Sequence, residues 1–89
     1  MTEAEYNILT EKVIGVAIAV HRRLGPGKVE AMYEEAMHKM LLKMGMASER
    51  QVALPLVFDG ETLECGYRMD LVVEGVLVIE LKTVAALLP

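Results

Sequence analysis

With 89 residues and one cysteine, the chain is large enough for one small domain, and Cys65 has no internal partner for a disulfide. Its 54% apolar and 25% charged residues describe a chain that folds rather than a disordered one, and its formal charge of −4 works against broad electrostatic attraction to nucleic acid. No apolar run reaches the about 20 residues that cross a bilayer, and Thr2 to Tyr6 is acidic where a secretory signal is basic, so the expected location is cytoplasmic.

Thr2-Glu3-Ala4-Glu5 has the pattern of a capping box and predicts the start of a helix. Leu9, Val13, Val16, Ala17, Val20 and Leu24 then recur at helical spacing as one apolar stripe. His21, Arg22 and Arg23 suit the negative end of that helix, and Gly25-Pro26-Gly27 ends it. A second helix is predicted from about Val29 to Met44, with Tyr33, Ala36, Met37, Met40, Leu41 and Met44 on its core face and Gly45 as its stop. Its methionines are read as core filling rather than as a partner groove. His21 and His38 are expected as solvated helical residues, and neither has a partner at zinc spacing, so no structural zinc is expected.

From Glu49 the period changes to two, with Val52, Leu54, Leu56 and Phe58 alternating up to an Asp59-Gly60 hairpin signal. Pro55 lacks a ladder donor and marks an edge or an unpaired point, and Gly66 marks a bend or bulge in a second strand over roughly Thr62 to Val73. After Glu74-Gly75, a third strand is predicted over Val76 to Lys82, with Thr83 placed to cap a further helix from Val84.

Chemistry concentrates in the last two strands. On a strand, Glu80 and Lys82 share one face and Leu81 points to the other, while Asp70 can join them from the neighbouring strand. Charged groups amid Val, Leu and Ile are paired or bind a metal, and two carboxylates with one lysine form a constellation for divalent-metal hydrolysis. The competing structural reading is an ion pair of Glu80 with Lys82 near a strand end, with Asp70 exposed. No Ser or Cys arrangement suggests a covalent nucleophile.

Three blocks, Gly27-Lys28-Val29-Glu30-Ala31-Met32-Tyr33, Gly66 to Glu74, and Val78-Ile79-Glu80-Leu81-Lys82, taken in this order resemble the GxxExxY family of the PD-(D/E)XK nuclease-like superfamily, through essentially the whole chain. The resemblance implies an α/β (α+β) fold: two N-terminal helices followed by a three-stranded antiparallel meander, as a C-terminally shortened restriction-endonuclease-like core. It makes residues 1–89 one domain that lacks the family's C-terminal helix and strand. The superfamily's metal-binding acids fall on Asp70 and Glu80, its lysine on Lys82 and its helix-borne glutamate on Glu30.

The expected cofactor is Mg²⁺ or Mn²⁺, held by Asp70, Glu80 and the Leu81 carbonyl, with Glu30 as a further ligand or water holder. Lys82 is expected to orient the water or stabilise developing charge, and Tyr33 to support Glu30 by a hydrogen bond. Gln51 and Arg68 are weaker candidates for phosphate or supporting contacts. The bland readings are a strand-edge cap for Gln51 and a surface ion pair for Arg68.

The leading expectation is therefore a nuclease-like domain acting on nucleic-acid phosphodiesters. The alternative is an inactive, oligomeric interaction module with a relic metal site. Metal-free nucleic-acid binding is disfavoured by the net charge and by an aromatic content of 4%. A homodimer is expected because the third strand would leave an open edge and Ala85-Ala86-Leu87-Leu88 is too short to bury itself.

Overall fold

The structure, a computed structural model, describes residues 1–82. Helix α1 runs Glu3–Leu24, and its capping box forms as the sequence predicts: Thr2 Oγ1 accepts the Glu5 N–H at 3.1 Å and donates to the Glu5 carboxylate at 2.9 Å. Gly25, at φ +78°, turns the chain away while its N–H closes on the His21 carbonyl.

Helix α2 runs Glu30–Lys43 and ends in a Schellman motif: the Met46 N–H donates to Leu41 and the Gly45 N–H to Leu42, both at 3.0 Å. Gly45 takes the left-handed φ of +82° that this geometry needs, and Met46 buries its side chain with Leu41.

Strands β1 (Ser48–Phe58), β2 (Glu61–Val73) and β3 (Leu77–Ile79) form one antiparallel sheet in the order β1-β2-β3. Asp59 and Gly60, at φ +52° and +77°, make the two-residue type I′ link that matches strand twist. The register shifts between Leu54 and Leu56, where Leu54 pairs with Tyr67 but Leu56 pairs with Leu63. Pro55 sits in that gap, so its missing N–H breaks no ladder bond. A Cβ on Gly66 would come within 3.2 Å of the Leu54 carbonyl oxygen, a close approach that explains glycine there.

Helix α2 packs on α1 and on β1 and β2. The core joins Leu9, Val13, Val16 and Val20 of α1, Met37 and Leu41 of α2, Met46, and Leu71 and Val73 of β2, with Leu77, Ile79 and Leu81 against it. The α1 stripe is as expected. Met44, assigned to the core face, is the C-cap residue beyond the last turn of α2 and is 53% exposed. Likewise Leu54, Leu56 and Phe58 do not face a core: with Val57, Leu63 and Tyr67 they lie exposed on the part of the β1/β2 hairpin beyond the helices. Among the described residues no helix is long and apolar enough to cross a membrane.

The third strand is shorter than predicted. Its pairing with β2 ends at Leu71 and Ile79, Val76 belongs to the turn, and Glu80 and Lys82 fall beyond the ladder. The cause is at Leu81, whose N–H is taken by the Asp70 side chain. The helix expected from Val84, its Thr83 cap and the Ala85 to Leu88 segment lie outside the described residues.

Candidate functional site

Asp70 lies two residues after the exposed Arg68 and directly precedes Leu71, which is fully buried, so the backbone of β2 at this point is fixed by the core. Its half-buried carboxylate accepts the Leu81 N–H through Oδ2 at 2.8 Å. Leu81 packs its own side chain against the core. Leu81 is thus held at both ends, and its exposed neighbours Glu80 and Lys82 are carried to the Asp70 end of the sheet without a ladder. Neither Glu80 nor Lys82 is paired on a strand, contrary to expectation, and both line a cleft with Asp70.

A cleft of about 210 Å³ is lined by Glu30, Tyr67, Arg68, Asp70, Glu80, Leu81 and Lys82. A second, also about 210 Å³, shares Glu30, Asp70 and Leu81 and adds Ala31, Glu34 and Gln51. Every residue singled out in the sequence except Tyr33 therefore lines one of two adjoining clefts. Glu30, at the first turn of α2, and Asp70 stand at their junction, where the α2 N-terminus favours negative charge.

Tyr33 has a different task from the one expected. Its hydroxyl donates its single proton to the Gly25 carbonyl and accepts the Lys28 N–H at 3.2 Å. With that proton committed, it cannot donate to the Glu30 carboxylate, and the expected support for Glu30 is corrected to a clasp on the turn between the helices. His21 is exposed, as expected, and stacks on the Tyr33 ring with centroids 6.1 Å apart and planes at 24°, which adds it to that clasp. His38 is likewise anchored, with Nδ1 2.8 Å from Ser48 Oγ at the start of β1.

Glu34 was not singled out by sequence. It is 5% exposed, and its carboxylate accepts Arg50 Nε at 3.1 Å, the Arg50 terminal nitrogen at 2.9 Å, and Gln51 Nε2. Gln51 is therefore not a strand-edge cap: its backbone has φ +51° and its amide is tied to α2. A signal was present, since Glu34, Met37 and Leu41 are three and four apart, which puts a charged residue in phase with the buried stripe.

The oxygen-bearing groups that line these clefts are hard donors: the carboxylates of Asp70, Glu80 and Glu30, with the backbone of Leu81 beside them. No thiol, thioether or imidazole joins them in these clefts. That set fits Mg²⁺ or Mn²⁺ and not the softer metals. Among the described residues no three acidic, histidine or cysteine side chains converge as a closed cage. Mg²⁺ is held by one or two carboxylates with waters and substrate oxygens completing its shell, so an open pair is compatible with it.

A family model, the PD-(D/E)XK nuclease superfamily, matches residues 7–89. The chain belongs to the PD-(D/E)XK nuclease superfamily. No curated protein and no solved structure matches it. Members of this superfamily generally use divalent metals, in keeping with the oxygen-only donor set, and the α+β arrangement of two helices and an antiparallel sheet is the one the sequence predicted.

Proposed function

We propose that this domain is a Mg²⁺- or Mn²⁺-dependent phosphodiesterase acting on nucleic acid, within the GxxExxY branch that Gly27, Glu30 and Tyr33 resemble. The observation that carries the reading is the shared cleft of Asp70, Glu80, Leu81 and Lys82, in a chain of nuclease superfamily membership.

Asp70, Glu80 and the Leu81 carbonyl hold the cation, with Glu30 extending the acidic wall. When bound, the cation supplies Lewis-acid polarisation of the phosphoryl oxygen and a lower pKa for the attacking water. Lys82 contributes a positive charge toward the oxygens on which negative charge develops, an interaction that strengthens in the transition state. Arg68, exposed at the cleft rim, orients a backbone phosphate. The net charge of −4 then places the burden of nucleic-acid attraction on Lys82, Arg68 and the cation itself.

The testing experiment is a panel of single- and double-stranded DNA and RNA incubated with Mg²⁺, with Mn²⁺ or with chelator. Metal-dependent cleavage that disappears in Asp70→Asn supports the reading. Absence of cleavage across the panel rejects it in favour of an interaction module with a relic site, and cleavage that persists in Asp70→Asn rejects the assigned site.

A homodimer is proposed on separate grounds. Strand β3 leaves its outer edge without a partner strand among the described residues, and the β1/β2 hairpin exposes apolar side chains.

A further inference from the structure

The reading of the cleft as a divalent-cation site leaves Glu34 unexplained. A carboxylate this buried is tolerated only when paired and hydrogen-bonded, and Arg50 satisfies that need through two nitrogens on Glu34 Oε2. The other oxygen, Oε1, accepts from Gln51 Nε2. Because a carboxylate offers only acceptors, the atom facing it must be the amide nitrogen of Gln51. The amide oxygen of Gln51 is what remains for the cleft that Gln51 lines with Asp70, Glu30 and Leu81.

Gln51 is also set apart by its backbone. Its φ of +51° is unusual for a residue with a side chain, and a conformation of this kind costs about 1–3 kcal/mol and persists where surroundings over-determine it. The β1/β2 pairing includes Arg50 with Leu71 and Val52 with Met69 and skips Gln51, so the residue facing Asp70 in register is the one twisted out of the ladder. The Glu34 bond accounts for the twist: it draws the Gln51 side chain toward α2, on the side where Glu30 and Asp70 meet.

We propose that Gln51 supplies an amide-oxygen ligand to the divalent cation or its hydration shell, and that Glu34 is the positioning residue that aims it. An amide oxygen suits this place chemically. It adds a hard donor beside the carboxylates without a further negative charge, and it accepts from water but repels a phosphate oxygen, so it acts on the cation side of the cleft and not on the substrate side.

The test is a double-substitution cycle read by calorimetric titration of Mn²⁺ into the whole chain, with thermal unfolding of each metal-free protein alongside. Gln51→Gly removes the amide and suits the left-handed backbone. Glu34→Gln keeps the shape and removes the charge. Each single substitution is expected to weaken Mn²⁺ binding about tenfold, the scale of a lost supporting contact, and the double substitution no further than either single. Additive losses, or wild-type affinity in Gln51→Gly, overturn the proposal. A lower melting temperature for Glu34→Gln with unchanged Mn²⁺ affinity also overturns it, since that is what a purely structural ion pair produces. If Glu34→Gln does not fold, Gln51→Gly decides alone, with weakened binding in favour and full binding against. Asp70→Asn separates the two levels. Binding lost there but intact in Gln51→Gly leaves the cation site standing and removes the Gln51 role, whereas no saturable binding by the wild type overturns both.

Discussion

The Asp70 carboxylate accepts the Leu81 N–H at 2.8 Å, and this one bond ends the β2/β3 ladder and sets Glu80 and Lys82 beside Asp70. Asp70 is therefore both a fastener and a candidate ligand, and the two roles separate by substitution. Asparagine keeps an oxygen for the Leu81 amide and drops the charge, so Asp70→Asn should melt close to the wild type while losing Mn²⁺ binding. Asp70→Ala loses both, with a stability loss of about 1–2 kcal/mol in denaturant unfolding, the scale of a hydrogen bond to a charged group in a half-buried setting. Equal melting of the two variants would remove the fastening role.

Lys82 is exposed at the cleft rim, and a lysine does not ligate a cation when protonated. Lys82→Met should leave Mn²⁺ affinity within about twofold of the wild type and lower turnover by about 10²-fold, the scale of one lost charge-stabilising group. Single-turnover cleavage rates at saturating metal make the comparison, and unchanged rates would discard the role.

Tyr33 holds the turn between the helices through Gly25 and Lys28. Tyr33→Phe should destabilise the fold by about 1 kcal/mol and leave metal affinity alone, since the hydroxyl bonds to the turn and donates nothing to Glu30. A shift in Mn²⁺ affinity without a shift in melting would restore the link to Glu30.

The proposed dimer predicts, in size exclusion with light scattering at micromolar concentration, a mass near twice the 9.8 kDa of the chain. Phe58→Lys places a charge on the exposed hairpin and should shift that mass toward the monomer if the hairpin lies in the interface. A wild-type mass of one chain rejects the dimer.

Much of the fold was legible because local chemistry decides it. The Thr2/Glu5 box, the α1 stripe, the Gly45 stop and the Asp59-Gly60 turn each need only neighbours in sequence, and each is present. The site was legible only in part. Asp70, Glu80 and Lys82 stood out as charges among β-branched residues, but the bond that assembles them joins a side chain to a backbone amide 11 residues away, which no periodicity reveals. Glu34 falls in phase with the buried stripe of α2, but only its pairing with Arg50 and Gln51, 16 and 17 residues on, gives it a role. The hairpin beyond Ala53 has the alternation of a half-buried strand, yet nothing among the described residues covers it, so the pattern alone overstated the core.

Asp70 and Glu80 together are proposed to hold a divalent cation. This is tested most directly by following the paramagnetic resonance signal of free Mn²⁺ as protein is added, for the wild type, Asp70→Asn and Glu80→Gln. Saturable loss of signal approaching one ion per chain at submillimolar metal is expected for the wild type, and none for either variant. A wild type that leaves the signal untouched at millimolar concentrations, or variants that bind as the wild type does, would contradict it.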